Sequence, residues 1–129
     1  MTRSRWLPNY AEKFKDKLES VTADGGTAIW DALDTAADML MLFKARHPTT
    51  KLRIIVLTDG DDQHSDTGPN VACRKLYNAG IFVDSLVVAT DISEDLFTIS
   101  KHTGGYAFLP SSRLIFHTFL LEGFLSLSA

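Results

Sequence analysis

The sequence predicts an α/β domain built on a parallel sheet with helices on both faces, truncated to about three strands. Three observations carry this. Helical and extended patterns alternate from Thr27 to the end. The segments from Leu52 to Leu57 and from Ile81 to Ala89 are apolar on both faces, as in strands covered on both sides. The first of these runs into Thr58, Asp59, Gly60, Asp61 and Asp62, so a buried strand ends in carboxylates. In open parallel sheets the carboxyl ends of the strands are where ligands bind.

Taken in order, Asn9 to Ser20 reads as a charged helix with Tyr10, Phe14 and Leu18 four residues apart on one face. Lys13, Lys15 and Lys17 interleave with Glu12, Asp16 and Glu19 as a solvated face. Val21 to Gly26 is a turn. Thr27 to Arg46 reads as a long helix with a stripe of Ile29, Leu33, Ala36, Leu40 and Phe43. Lys44, Arg46 and His47 suit its negative end, and Pro48 stops it. After the first strand, Gly60 to Pro69 is a polar loop and Asn70 to Ala79 a short helix ended by Gly80. The second strand follows. Asp91 to Ser93 opens a helix that runs to about His102, and Gly104 and Gly105 turn into a short strand, Tyr106 to Leu109. An apolar helix over Leu114 to Leu127 closes the chain. Strands joined by helices of this length imply right-handed crossovers. Residues 1–129 form a single partial domain, with an N-terminal helical region over 1–22 and the alternating core over 23–129.

The chain has 129 residues, 45 % of them hydrophobic, and a net charge of −3, so a core is affordable and nucleic acid is not the expected partner. The N-terminus has no apolar stretch of signal-peptide length. The segment Leu114 to Leu127 is shorter than the ~20 residues of a spanning helix and contains His117 and Glu122, so no membrane contact is expected. Cys73 is the only cysteine, which points to a cytoplasmic setting.

Two short stretches carry the candidate chemistry. Asp59, Asp61, Asp62, His64 and Asp66 fall within eight residues. Clustered carboxylates repel one another unless they are solvated or share a hard cation such as Mg2+ or Mn2+. A solvated acidic turn accounts for Asp61, Asp62 and Asp66, and the spacing is not that of an EF-hand. Asp59 stands apart, because its place is fixed by the strand end. The second stretch is Gly25, Gly26 and Thr27 ahead of the long helix. Thr27 reads either as an ordinary N-cap or as a hydroxyl facing the same crevice as Asp59, with the glycines allowing close approach.

With these residues in view, "ADGGTAIWDAL" followed by a strand ending in "VLTDGDD" resembles the von Willebrand factor type A domain. "IFVDSLVVA" and "LFTISKHTGGYAFLP" match later parts of that family's pattern. The resemblance spans Tyr10 to Leu127. It implies a Rossmann-like sheet, a metal-ion-dependent adhesion site at its carboxyl edge, and capture of a partner protein through an acidic residue. Carried over, the metal-side residues are Thr27 and Asp59, with Asp24, Gly25, Gly26, Asp61 and Asp62 on the rim. The family's Asp-x-Ser-x-Ser segment has no counterpart before Thr27, and the first three strands are missing. The nearest imitation, Asp91, Ser93, Glu94 and Asp95, reads as a capping box. Cation binding by this chain alone is therefore expected to be weak or absent, and the strand over residues 52–57 becomes an edge open to homo-oligomerisation.

The leading expectation is a non-enzymatic protein-interaction module. One alternative is a metal-dependent phosphohydrolase using Asp59 and Asp61, against which no nucleophile–base pair or phosphate loop is seen. The other is a fragment completed by a partner chain.

Overall fold

The computed structural model describes residues 3–59, 61–88 and 94–109, with the backbone alone for 3–9. The elements run α1 (Arg3–Ser20), α2 (Ile29–Arg46), β1 (Leu52–Thr58), α3 (Pro69–Asn78), β2 (Ile81–Val87), α4 (Glu94–Thr103) and β3 (Ala107–Phe108). The helix–strand alternation is therefore as the pattern predicts. The bounds differ in detail: α1 starts at Arg3 rather than Asn9, and α2 at Ile29 rather than Thr27. The final helix expected over 114–127 lies outside the described residues, as do Asp91 and Ser93.

The three strands form one parallel sheet in the order β1-β2-β3. β1 and β2 pair along their whole length, Leu52 opposite Ile81 through Thr58 opposite Val87. Both are rich in β-branched residues, which pack well on a pleated surface. Their alternation separates two faces. Leu52, Ile54 and Val56 of β1 lie with Ile81, Val83 and Val87 of β2 against a single core cluster. Ile29, Trp30, Leu33 and Ala37 of α2, Ala72 and Leu76 of α3, and Leu96 and Ile99 of α4 complete it.

The helices are built for this layer. α2 is rich in alanine, the best helix former, carries Asp31 in its first turn and Lys44 and Arg46 in its last, and buries one stripe. Its end is closed by the His47 N–H, which donates to the carbonyls of Phe43 and Lys44. α3 begins with Pro69, whose missing N–H is unneeded there. Lys75 of α3 reaches back to α2, its Nζ 2.8 Å from carboxylate oxygens of both Asp34 and Asp38.

The other face carries a buried charge pair. Arg53 on β1 donates to Asp84 on β2 through Nε at 2.5 Å and Nη2 at 2.9 Å, a two-pronged contact. Asp84 is 0 % exposed and also accepts the Tyr106 N–H at 2.9 Å. The guanidinium lies 5.5 Å from the Phe82 ring centre and 5.8 Å from that of Tyr106. Hydrogen bonding to Asp84 raises the arginine's affinity for its proton against the opposing effect of burial.

β3 is short, and side chains finish what it leaves open. Thr103 Oγ1 accepts from the Val83 N–H at 3.1 Å and donates to the Ile99 carbonyl. The hydroxyls of Ser85 and Ser100 meet at 2.8 Å in the core. Gly105 lets the chain cross β2 closely, since a Cβ there would sit 2.0 Å from the Val83 carbonyl oxygen.

Removing one member of a buried pair strands the other charge. Asp84→Asn is expected to lose about 3 kcal/mol or more of folding stability, read as a lower urea midpoint at unchanged slope. Arg53→Met with Asp84→Leu is expected to recover most of that loss, because neither site then buries a lone charge.

Candidate functional site

The carboxyl end of β1 is the rim predicted to matter, and its geometry depends on how α2 begins. Ala28 is the residue at the helix N-cap, and its side chain offers no acceptor. The first N–H groups of a helix need partners from elsewhere. Asp62, 33 residues on in the loop after β1, supplies one: its Oδ1 accepts the Ile29 N–H at 2.5 Å and the Trp30 N–H at 3.3 Å. Ser65 Oγ accepts the Asp31 N–H at 3.1 Å and donates to Asp62 Oδ1. The N-cap reading of Thr27 is thus corrected. The helix starts two residues later, and its cap is a carboxylate from another segment.

The bonds also run the other way. Asp31, in the first turn of α2, accepts the N–H groups of Asp66 at 2.9 Å and Thr67 at 2.8 Å. The Thr27 carbonyl accepts from the N–H groups of Gln63 at 2.8 Å and His64 at 3.0 Å. The imidazole of His64 packs over Gly26, where a larger residue would have to displace that exposed ring. The helix start and the loop over residues 61–67 form one clasp.

The clasp sets the electrostatics. Burial pushes the Asp62 carboxyl up, but bonds from the Ser65 hydroxyl and from the N–H groups of Ser65, Trp30 and Ile29 outweigh it and hold it below the usual carboxylate range. The N–H groups of Asp66 and Thr67, with the Thr67 hydroxyl, hold Asp31 below its usual value as well.

The predicted residues are distributed as follows. Thr27 is half-buried and lines one groove with Thr58, the residue before Asp59. Asp59, Asp61, Asp24, Gly25 and Gly26 are exposed around that end. Asp24 accepts the N–H of Gly25 at 2.8 Å, and Gly25 takes a positive φ of 78°. Asp62 belongs to the clasp rather than the open rim. Asp31 and Ser65 were not among the predicted residues, although an acid three positions into a helix with no capping side chain was a usable signal.

The rim offers a divalent cation only a few uncommitted oxygen donors. Magnesium asks for six oxygen ligands in near-octahedral order. Asp31 and Asp62 are committed to backbone N–H groups. Among the described residues no cluster of three or more His, Cys, Asp or Glu is placed to hold an ion. What remains facing the rim is the Thr27 hydroxyl and the exposed carboxylates near Asp59.

The clasp makes the fold acid-sensitive. A carboxyl whose affinity for protons is lowered by folding contributes stability above its ordinary range and loses it as pH falls through the lowered value. Stability is therefore expected to drop as pH falls below about 4. Asp62→Ala is expected to cost about 1–2 kcal/mol at neutral pH and to flatten this acid limb, both measured by urea unfolding across pH.

With the geometry in hand, comparison with known proteins gives a consistent answer. The family model for the von Willebrand factor type A domain matches residues 7–117. One relative, a probable bifunctional E2/E3 enzyme of Acanthamoeba polyphaga mimivirus, is 30 % identical over 107 residues. That match covers 80 % of this chain and 8 % of the relative, so the chain spans a small part of that protein's length. A Rossmann-like parallel sheet, a helix led by a glycine pair and threonine, and an aspartate at the neighbouring strand end place this chain in the von Willebrand factor type A domain family.

Proposed function

We propose that the chain is a non-enzymatic protein-interaction module whose contact region is the rim at the carboxyl end of β1. The family is one of protein-interaction modules, and no described helix is long and apolar enough to cross a membrane. The observation that carries the reading is the pair of hydrogen bonds that the Gln63 and His64 N–H groups donate to the Thr27 carbonyl. It ties the threonine to the loop that begins with Asp59, as a shared contact surface needs.

At this rim Thr27 and Asp59 are the metal-side residues of a degenerate adhesion site. Asp24, Gly25, Gly26 and Asp61 form its border, while Asp62 supports it from beneath. A hydroxyl and a carboxylate leave most of a cation's coordination to water, so Mg2+ or Mn2+ binds weakly. A partner's acidic residue adds an oxygen and completes more of the shell. The open edge of β1 is a second surface for another chain. Similarity to one region of a much longer E2/E3 enzyme supports a shared module, not a shared activity. The single cysteine, half-buried on α3, fits an intracellular setting.

Titration calorimetry with Mn2+ and Mg2+ tests the rim. Wild type is expected to bind with a Kd on the order of millimolar. Both Thr27→Ala and Asp59→Ala are expected to weaken that binding several-fold. Heats that are the same in all three proteins would overturn the assignment.

A further inference from the structure

α3 stands between β1 and β2, and α4 between β2 and β3. The strands are parallel, so the two helices run side by side in one direction. Each buries one side in the core, α3 through Ala72 and Leu76, α4 through Leu96 and Ile99. A groove of about 390 Å³ lies between them. α3 lines it with Asn70, Cys73, Arg74 and Tyr77, below Pro69 at its head. α4 lines it with Asp95, Thr98, Ile99 and His102. Each set has the spacing i, i+3, i+4, i+7, and both helices use their second, fifth, sixth and ninth residues. That is the stripe by which a helix packs on another helix, presented twice in step. It runs for about two turns, or about 10 Å.

The floor of the groove is apolar and its ends are charged. Ile99 is 1 % exposed. Burial pushes the Cys73 thiol up, so it stays neutral. Tyr77 is 66 % exposed, an uncovered aromatic at one end. Glu94 and Asp95 stand in the first turn of α4, and Lys101 and His102 in its last. Arg74 adds a positive charge from α3. Among the described residues Arg74, Asp95 and His102 make no ion pair, whereas Lys75 on the same helix is tied to Asp34 and Asp38.

We propose that this groove holds an amphipathic helix of a partner protein, antiparallel to α3 and α4, with acidic residues in its first turn and basic residues in its last. That direction sets the acidic start beside Arg74, Lys101 and His102, and the basic end beside Glu94 and Asp95. It also suits the occupant's own dipole, which favours acids at the N-terminus and bases at the C-terminus. A parallel occupant would need the reverse charges, against its dipole. Tyr and Arg, here Tyr77 and Arg74, are the residue types that most often anchor such contacts. No metal-side residue of the rim lines the groove, and the contact needs no cation.

The test uses the full chain with EDTA present and a peptide labelled with fluorescein at its C-terminus, Asp-Glu-Glu-Ala-Leu-Ala-Gln-Leu-Leu-Ala-Gln-Leu-Ala-Lys-Lys-Arg, followed by anisotropy. Its leucines repeat the same spacing. Saturable binding is expected, and the peptide with its two charged ends exchanged is expected to bind at least fivefold more weakly. Tyr77→Ala is expected to weaken binding at least fivefold. Arg74→Glu with Asp95→Lys is expected to invert the preference between the two peptides. All three positions are exposed, and circular dichroism checks the fold of each variant. Cys73, the only cysteine, reports the place: bound peptide is expected to slow its alkylation by N-ethylmaleimide severalfold. No saturable binding would overturn the proposal. So would binding that ignores Tyr77→Ala and the charge exchange, or that leaves Cys73 alkylation unchanged.

Discussion

The rim of this domain rests on one exchange of hydrogen bonds between the start of α2 and the loop after β1. A helix that begins at an alanine has no capping side chain of its own, and the loop's Asp62 and Ser65 make up the deficit. Asp31 returns the favour to the loop backbone. The Asp62 carboxylate of this acidic loop sits at the positive end of the helix and accepts its N–H groups. Thr27 is tied to the same loop through its own carbonyl, which accepts from the Gln63 and His64 N–H groups.

The sheet is held by a second long-range contact of the same kind. Arg53 and Asp84 are each the single charge in an apolar strand, and parallel register places them one step apart on one face. The Tyr106 N–H adds β3 to the pair. A charge pair of this sort is weak evidence for net stability, but once built it penalises a strand slip, since a shift of one residue would send the two charges to opposite faces. It thereby fixes the level at which β1 ends and Asp59 emerges.

Charge is therefore used in two ways. Asp31, Asp62, Arg53 and Asp84 are internal fasteners, each matched to a partner in another element. Asp24, Asp59 and Asp61, with Lys44, Arg46 and Lys51, stay outside and mark the two ends of α2 and β1. A composition near neutrality hides this division, because the net charge counts both groups alike.

Much of the architecture was legible in the chain. The alternation of helix and strand, the two doubly apolar strands and the delivery of Asp59 to a strand end all follow from periodicities of two and of three to four residues, which are local properties. The start of α2 was read two residues early because Thr27 is a good cap by type, and only the fold reveals that Asp62 takes the role. Likewise the charges in "LRII" and "VDSL" were visible, but not that they meet. The sequence by itself determined which segments become strands and helices, since backbone preference and burial pattern act within a few residues. Tertiary structure alone decided which carboxylate is spent and which is left for function. Asp62 and Ile29 are 33 residues apart and Arg53 and Asp84 are 31 apart, and only the crossover geometry and strand register bring such pairs within bonding distance.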